Sequence, residues 1–363
     1  MADDLAIRLA VLDVGQGDTI VVSVPETGEA VVVDCADSEA VFHYLRHEGI
    51  TSIRGLLITH LHADHYKGAV AFLENCHSEL GHSCDEVFIN LPALTKAQAL
   101  GLLGDDAGAL EDSDRHSTGE QGTTFRSRAR RTTWQGFQQW RSRNPERFHL
   151  LCAGEHVPEF GRVTVPVIEP LYPVNGELPD LLGLGFNNLS SVLRINGPGC
   201  SALLTGDIEP AGWARLPRNS HLRCGVLKFP HHGAWSDPDV GIILDAVAPS
   251  IVVLSVGTDG NRYDHPNLHV FSALAERGVH LLCTQATQRC GLVNESVTRN
   301  AVMTDFTAEA GKGGIGVTTS RGCPCAGTVV IDLTDQPHIR QPTRAFHRDA
   351  IIKRYYPTHR CEF

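Results

Sequence analysis

The sequence predicts a mixed α/β fold, and three observations carry that prediction. Short apolar runs rich in Val, Ile and Leu recur along the chain with the length and composition of strands. Several are followed by stretches whose apolar residues return at helical spacing, Ser38 to Glu48 and Tyr66 to Asn75 among them. Clusters of Gly, Pro and Asp punctuate the series where turns are needed. With 363 residues, 42% of them hydrophobic, the chain has enough apolar material for one large domain with insertions or two medium ones, which excludes general disorder.

Taken in order, Leu9 to Val14, Thr19 to Val24 and Ala30 to Val33 form a β-meander, broken by Gly15-Gln16-Gly17-Asp18 and by Pro25 to Gly28. Ser38 to Glu48 is an amphipathic helix closed by Gly49, and Gly55 to Thr59 a buried strand whose end meets His60. Tyr66 to Asn75 is the next helix and Val87 to Leu91 the next strand, stopped by Pro92. Thr95 to Phe148 departs in composition, passing from a Leu/Ala/Gly-rich segment through an acidic run to an arginine-rich one, and reads as an insertion. Strands resume at Thr164 to Ile168, Ser191 to Ile195, Ala202 to Thr205, Gly225 to Phe229 and Ile251 to Ser255. A helix over Pro266 to Gly278 and a strand over Val279 to Cys283 follow. Beyond these come a Gly-rich stretch (Gly311 to Gly316), a strand at Thr328 to Leu333 and a basic helical tail from Thr343 to Tyr356. The division expected is 1–94 and 151–292 as two halves of one fold, 95–150 as an insertion and 293–363 as a C-terminal extension.

Charge and cysteine usage narrow the class. Lys plus Arg is 31 against 42 Asp plus Glu, a net charge of −11, so no uniformly basic coat exists and a polyanion would have to meet a local patch or a metal. No apolar run approaches the ~18 residues of a membrane span, and Asp3 and Asp4 stand where a signal peptide carries basic residues. A cytoplasmic location without a membrane segment is the expectation. Eleven Cys, an odd count at scattered spacing, point to reduced thiols or metal ligands rather than a disulfide framework.

The chemistry concentrates in His60-Leu61-His62-Ala63-Asp64-His65, three imidazoles and a carboxylate directly after an apolar strand. Imidazole and carboxylate ligate Zn, Mn and Fe, and a loop turning into a helix points such pairs at two neighbouring metal positions. His43, His47, His77 and His82, each isolated, read as surface residues.

Further motifs follow in order: Asp34 ending Val31-Val32-Val33-Asp34, then Leu204-Thr205-Gly206-Asp207, then Lys228-Phe229-Pro230-His231-His232-Gly233. As an ordered set these resemble the metallo-β-lactamase-fold hydrolases. Asp13 to Asp18, Asn187 to Leu193 and Tyr263-Asp264-His265-Pro266 make the chain similar, within that family, to the soluble hydrolase domain of ComEC-type DNA-uptake competence proteins. The resemblance covers roughly residues 5 to 290 and implies an αββα sandwich with two divalent ions, Zn or Mn, at the strand ends. It implies His60 and His62 on one metal, Asp64 and His65 on the second, Asp207 bridging, and a last histidine from His231 or His232, with His231 favoured because it ends the strand.

Where many members place one more histidine, this chain offers Asn187 and Asn188, whose carbonyls suit harder ions such as Mn or Mg; His149 and His156 are further candidates for that position. Asp18 and Asp34 are expected to orient ligating imidazoles from behind. Two ions about 3.5–4 Å apart make a bridging hydroxide available as nucleophile on a phosphodiester, with Asp64 at the metals and Lys228 and His265 as candidates for binding phosphate or protonating the leaving oxygen. The activity implied is a metal-dependent DNA nuclease. A small-molecule phosphodiesterase of choline-phosphate or cyclic-nucleotide type is the alternative enzyme, and a binding or regulatory subunit with a structural or vestigial metal site the alternative of another class.

Three secondary signals stand apart. In the insertion Arg115, Arg126, Arg128, Arg130, Arg131, Arg141, Arg143 and Arg147 outnumber Glu120 and Glu146, with Trp134, Phe137 and Trp140 between them, a composition suited to a nucleic-acid backbone and its bases or to packing on the acidic scaffold or a protein partner. The tail, with Arg340, Arg344, Arg348, Lys353, Arg354 and Arg360, offers a second such surface. Cys283, Cys290, Cys323 and Cys325 are candidates for a structural zinc site, with Cys76, His77, His82 and Cys84 a second local cluster. Gly311 to Gly316 lacks the Gly-Lys-Ser/Thr ending and the following helix of a phosphate loop and reads as a mobile loop.

Overall fold

A computed structural model of the chain describes residues 5–90, 135–161, 163, 166–181, 184–217, 220–236, 239–258, 265–290, 295–315 and 322–356. Among them fourteen strands build two sheets. The first has eight, in the order β14-β13-β1-β2-β3-β4-β5-β6. Its members are β1 (Ile7–Val11), β2 (Thr19–Val24), β3 (Glu29–Cys35), β4 (Ser52–Ile58), β5 (Val87–Ile89), β6 (Phe148–Leu150), β13 (Val329–Leu333) and β14 (Pro337–Gln341). The second has six, in the order β12-β11-β10-β9-β8-β7: β7 (Ile168–Tyr172), β8 (Val192–Asn196), β9 (Ser201–Leu204), β10 (Val226–Lys228), β11 (Ile251–Leu254) and β12 (His280–Cys283).

Strand alternation explains the layering. Leu9 and Val11, Val31 and Val33, Leu204, Val226 and Val253 share one core between the sheets, while their neighbours Ala10, Val32, Leu203, Leu227 and Val252 belong to a second core with the helices. Both faces of each sheet are therefore buried, which is why the strands read as continuous apolar runs. Tyr44 and Leu45 of the helix Ser38–His47, Phe72 of Ala69–Leu80, Ile243 of Asp239–Val247 and Phe271 of Leu268–Glu276 supply the outer packing. This is the αββα sandwich that the resemblance implies.

Each sheet is antiparallel on one side and parallel on the other: β3 to β6 run parallel, as do β9 to β12. Parallel neighbours present their carboxyl ends on one edge, where the end of β3 carries Asp34 and the segments after β4, β9 and β10 carry His60 to His65, Asp207 and His231-His232.

Some boundaries differ from the expectations. Residues 135–150 are part of the sandwich: a helix over 135–143 buries Phe137 and Trp140 in the outer core, and β6 extends the first sheet beside β5. The C-terminal stretch is likewise no appendage, since β13 pairs with β1 inside the first sheet and Arg8 is buried against Asp332 across that seam at 2.8 Å. The helix expected over Tyr66 to Asn75 is interrupted at Lys67-Gly68, giving Ala63–Tyr66 and Ala69–Leu80. Gly68 lies where a Cβ would meet the Ser38 nitrogen at 2.8 Å, so the chain crosses the loop after β3 at closest approach. Of the strand expected over Thr164 to Ile168, Thr164 and Val165 lie outside the described residues, and Ile168 opens β7. Among the described residues no helix is long and apolar enough to cross a membrane.

Candidate metal centre

At the shared strand edge four side chains converge: Asp64, His65, Asp207 and His232 bring one ligand atom each within 4.8 Å of one another. Asp64 and His65 come from the short helix Ala63–Tyr66 that follows β4, Asp207 from the turn after β9, and His232 from the turn after β10. The backbone is forced to deliver them. His231 and His232 hold left-handed conformations at φ 49° and 51°, and Asp34 sits at φ 55°, which non-glycine residues adopt only where the surroundings compel it.

The imidazoles are oriented from behind. His232 Nδ1 lies 2.7 Å from the Ser255 carbonyl oxygen, which can only accept, so Nδ1 carries hydrogen and Nε2 faces Asp207 Oδ2 at 3.4 Å and Asp64 Oδ2 at 3.5 Å. His65 repeats the arrangement, with Nδ1 2.7 Å from Asp34 Oδ2 and Nε2 3.2 Å from Asp207 Oδ2. Both Nε2 atoms are buried with no hydrogen-bond partner, as is Asp207 Oδ1. Two inward nitrogens, two carboxylates and fixed outer N–H groups match the donor set of a divalent transition ion.

Without a cation the same charges are balanced by protons. Burial works to lower His232, yet Asp207 and Asp64 hold it up at about 10; His65 is likewise raised, against burial, by Asp207 and Asp34. Burial would raise Asp207 and Asp64, and these two imidazoles bring both well below the usual carboxylate range. A divalent ion would take over the role of those protons.

Beside this group lie His60 and His62, with His60 Nε2 3.0 Å from His62 Nδ1 and 4.0 Å from Asp207 Oδ2. Burial and the neighbouring imidazoles keep His60 well below its ordinary value, and burial lowers His62, so both rings are neutral. Asp207 Oδ2 thus faces His65, His232 and His60 together. Asn187 lies beside His231, its Nδ2 3.5 Å from His231 Nε2 and donating to Glu209 Oε1 at 2.8 Å, with its Oδ1 buried without a hydrogen-bond partner.

Several expectations are corrected by these positions. The histidine grouped with Asp64, His65 and Asp207 is His232, not the favoured His231, which is half-buried with Nδ1 3.5 Å from Glu209 Oε1 and its ring 5.5 Å from that of His265. Lys228 has no exposure to solvent. It is fully buried behind the site, its ammonium paired with Asp18 and 3.1 Å from the Gly206 carbonyl oxygen. Asn188 is a staple rather than a ligand: its Oδ1 accepts from the Gly212 N–H at 2.7 Å and its Nδ2 donates to the Leu184 carbonyl at 2.7 Å. Asp34 does orient a histidine, whereas Asp18 pairs chiefly with Lys228, lying 3.9 Å from His65 Nδ1.

Cys283, Cys290, Cys323 and Cys325 pack into the outer apolar core, and among the described residues neither converging ligand group contains a cysteine. Phe137 and Trp140 are not offered to bases; they stack within the fold on Tyr66 and Phe148, with Arg141 and Arg147 over Phe148 and Trp140. Arg126, Arg128, Arg130 and Arg131, like Trp134 and Tyr263-Asp264, lie outside the described residues. His149 stacks on Phe88, centroids 4.9 Å apart.

Sequence reasoning missed Thr59, whose hydroxyl donates to Asp34, Glu209, which receives Asn187 and Asn188, and Ser190, whose hydroxyl accepts from the Asp207 N–H at 3.0 Å. Only their position beside the ligand motifs signalled them.

Comparison with known proteins agrees with this geometry. Residues 12–83 match the family described as the Metallo-beta-lactamase superfamily. The chain is 35% identical over 100 residues to the competence protein ComA of Neisseria gonorrhoeae and 32% identical over 99 residues to ComE operon protein 3 of Bacillus subtilis (strain 168). Each match covers 27% of this chain but only 14% and 12% of those longer proteins. A long-form RNase Z from yeast aligns with 70% of this chain and 38% of its own at 8% identity and a TM-score of 0.30, too distant to bear on function. By its layered sheets, its ligand order and the match at residues 12–83, the chain has the metallo-β-lactamase fold, and over about a quarter of its length it is similar to these two competence proteins.

Proposed function

We propose that the chain is a metal-dependent hydrolase of phosphodiesters, with DNA as its substrate. The observation that carries this reading is the paired orientation of His65 and His232, each with Nδ1 bound to an outer acceptor and a partnerless Nε2 turned toward Asp207. Asp64, His65, Asp207 and His232 would hold one divalent ion. His60 and His62, with Asp207 shared, would hold a second, Zn or Mn. Ions so held supply Lewis acidity toward a phosphoryl oxygen and a water acidic enough to ionise near neutral pH.

The protein's own groups do the rest. Asp34 and the Ser255 carbonyl keep the ligand rings from rotating, and buried Lys228 offsets the negative charge of Asp18 and Asp207. His231 and His265, whose rings lie 5.5 Å apart, would supply hydrogen bonds to a phosphoryl or leaving oxygen. Burial keeps His231 below its ordinary value, so it enters as a neutral ring. DNA as substrate is supported by the likeness to competence proteins. The small-molecule alternative gains from the burial of Phe137 and Trp140, which removes two aromatics from any DNA surface.

The test is cleavage of linear and circular, single- and double-stranded DNA by the purified protein with Mn or Zn, beside Asp64→Ala and EDTA controls. Cleavage lost in both controls supports the reading. Hydrolysis of bis-p-nitrophenyl phosphate alone moves the substrate to a small phosphodiester, and bound metal with no turnover of either favours the binding-subunit alternative.

A further inference from the structure

Thr59 joins the two halves of this site. The residue is held on three sides: its N–H donates to Asp34 Oδ1 at 2.8 Å, while its carbonyl receives the Ser191 N–H at 2.9 Å and the Asn90 side-chain amide at 3.0 Å. Gly206 presses so close that a Cβ there would stand 3.0 Å from Thr59 Oγ1. The hydroxyl therefore has one place to be, and it has one hydrogen to give.

That hydrogen goes to Asp34 Oδ2, 2.7 Å away, because a carboxylate only accepts. The lone pairs left on Oγ1 then face His60 Nδ1 at 3.3 Å, a contact that attracts only if Nδ1 carries the ring proton. A ring that carries its proton at Nδ1 turns a bare Nε2 toward His62 and Asp207, the form in which an imidazole can ligate a metal. On the other side the same Asp34 Oδ2 receives His65 Nδ1 at 2.7 Å. One carboxylate oxygen is the hub of both arms.

We propose that the Thr59 hydroxyl is a positioning group shared by the two halves of the metal site, relaying Asp34 to His60 so that one buried carboxylate keeps a hydrogen on Nδ1 of a histidine in each half. The relay turns His60 Nε2 and His65 Nε2 inward together. This rests on the metal-site reading above but makes a claim about the metal-free protein as well.

Two variants of the full chain separate the hydroxyl from the shape: Thr59→Val keeps the branching and loses the oxygen, and Thr59→Ser keeps the oxygen. The first measurement is long-range nitrogen–proton NMR of the histidine rings in the metal-free protein, with His60 assigned by its own replacement. The expected result is His60 protonated at Nδ1 in the wild type and Thr59→Ser, with that preference lost in Thr59→Val. The second is competitive titration with Zn2+ and with Mn2+, where Thr59→Val should bind both equivalents about 10–100-fold more weakly and Thr59→Ser within a few-fold of wild type. A wild-type His60 protonated at Nε2, or a Thr59→Val protein binding both equivalents as tightly as wild type, overturns the relay. If Thr59→Val does not fold, the wild-type tautomer and the Thr59→Ser titration decide. A wild type that binds neither ion defeats the metal-site reading, and the ring tautomer still judges the relay.

Discussion

Lys228 provides a demanding test because sequence and structure assign it opposite duties. Its side chain has no exposure, its ammonium pairs with Asp18, and Asp207 Oδ1 lies 3.7 Å away. Burial favours loss of the charge, but Asp18 and Asp207 outweigh it and raise the ammonium above its ordinary value. Lys228→Met retains the apolar stem and deletes the charge. A unit-charge pair at 3.7 Å is worth ~4 kcal/mol at an effective dielectric of ~20, in line with the ~3–5 kcal/mol lost when one partner of a buried pair is removed. For 363 residues the entropy of unfolding is about 0.76 kcal/mol/K, so the melting temperature should fall by about 4–7 °C.

The assay is a thermal melt in EDTA and again with excess Mn2+. A cation at Asp207 replaces part of the missing positive charge, so the difference between variant and wild type should shrink when metal is present. An ammonium without access to solvent touches no substrate, so KM for a phosphodiester should stay within a few-fold of wild type. An unchanged melt in EDTA together with a large rise in KM would refute this account and return Lys228 to the substrate.

Three other outcomes are expected. His232→Ala should lose one equivalent of bound metal by elemental analysis after dialysis, whereas His231→Ala should keep its metal and lose turnover; equal metal loss in both would contradict the separation of the two rings. Trp140→Ala should cost ~3–5 kcal/mol in urea melts and leave DNA affinity per folded molecule unchanged by fluorescence anisotropy, because the ring is 5% exposed and packs on Phe148. Burial pushes Asp13 up to about 7, with hydrogen bonds from Gln285 and Gly15 working against the rise. A carboxyl whose proton is held more tightly in the fold contributes stability at low pH that is lost as pH rises from its unfolded value near 4 to about 7. From pH 5 to pH 8 that loss is ~3 kcal/mol, and Asp13→Asn should abolish this part of the slope in paired urea melts.

What could be read from the sequence was whatever is local along it. The strand ending at His60 and the cluster through His65 occupy adjacent residues, so apolar run, turn and ligands announce themselves together. The order of Asp34, Asp207 and His231-His232 after apolar runs is likewise a local signal, because parallel strands deliver their ends to a common edge. What escaped was fixed by partners far along the chain. Arg8 and Asp332 are 324 residues apart, and nothing near either shows that β13 closes against β1. Lys228 at a strand end looked available to solvent until Asp18, brought beside it from the first sheet, took its charge.

The tandem histidines make the same point within two residues. Both follow β10, and spacing alone gives each the same claim on the metal. The choice is made by a left-handed turn at both residues and by the Ser255 carbonyl at the end of β11, which fixes His232 Nδ1 and so directs Nε2 toward Asp207. Phe137 and Trp140 stay open between two readings in the sequence for a related reason: rings interleaved with arginines have the same composition on a nucleic-acid surface and inside a core. The contacts with Tyr66 and Phe148 decide for the core. Ligand chemistry is thus written in residue types, while the choice among equivalent residues is made by the acceptor standing behind each ring. Replacing that acceptor's neighbours, as at Thr59, is therefore a stronger probe of this site than deleting a ligand whose identity the motif already declares.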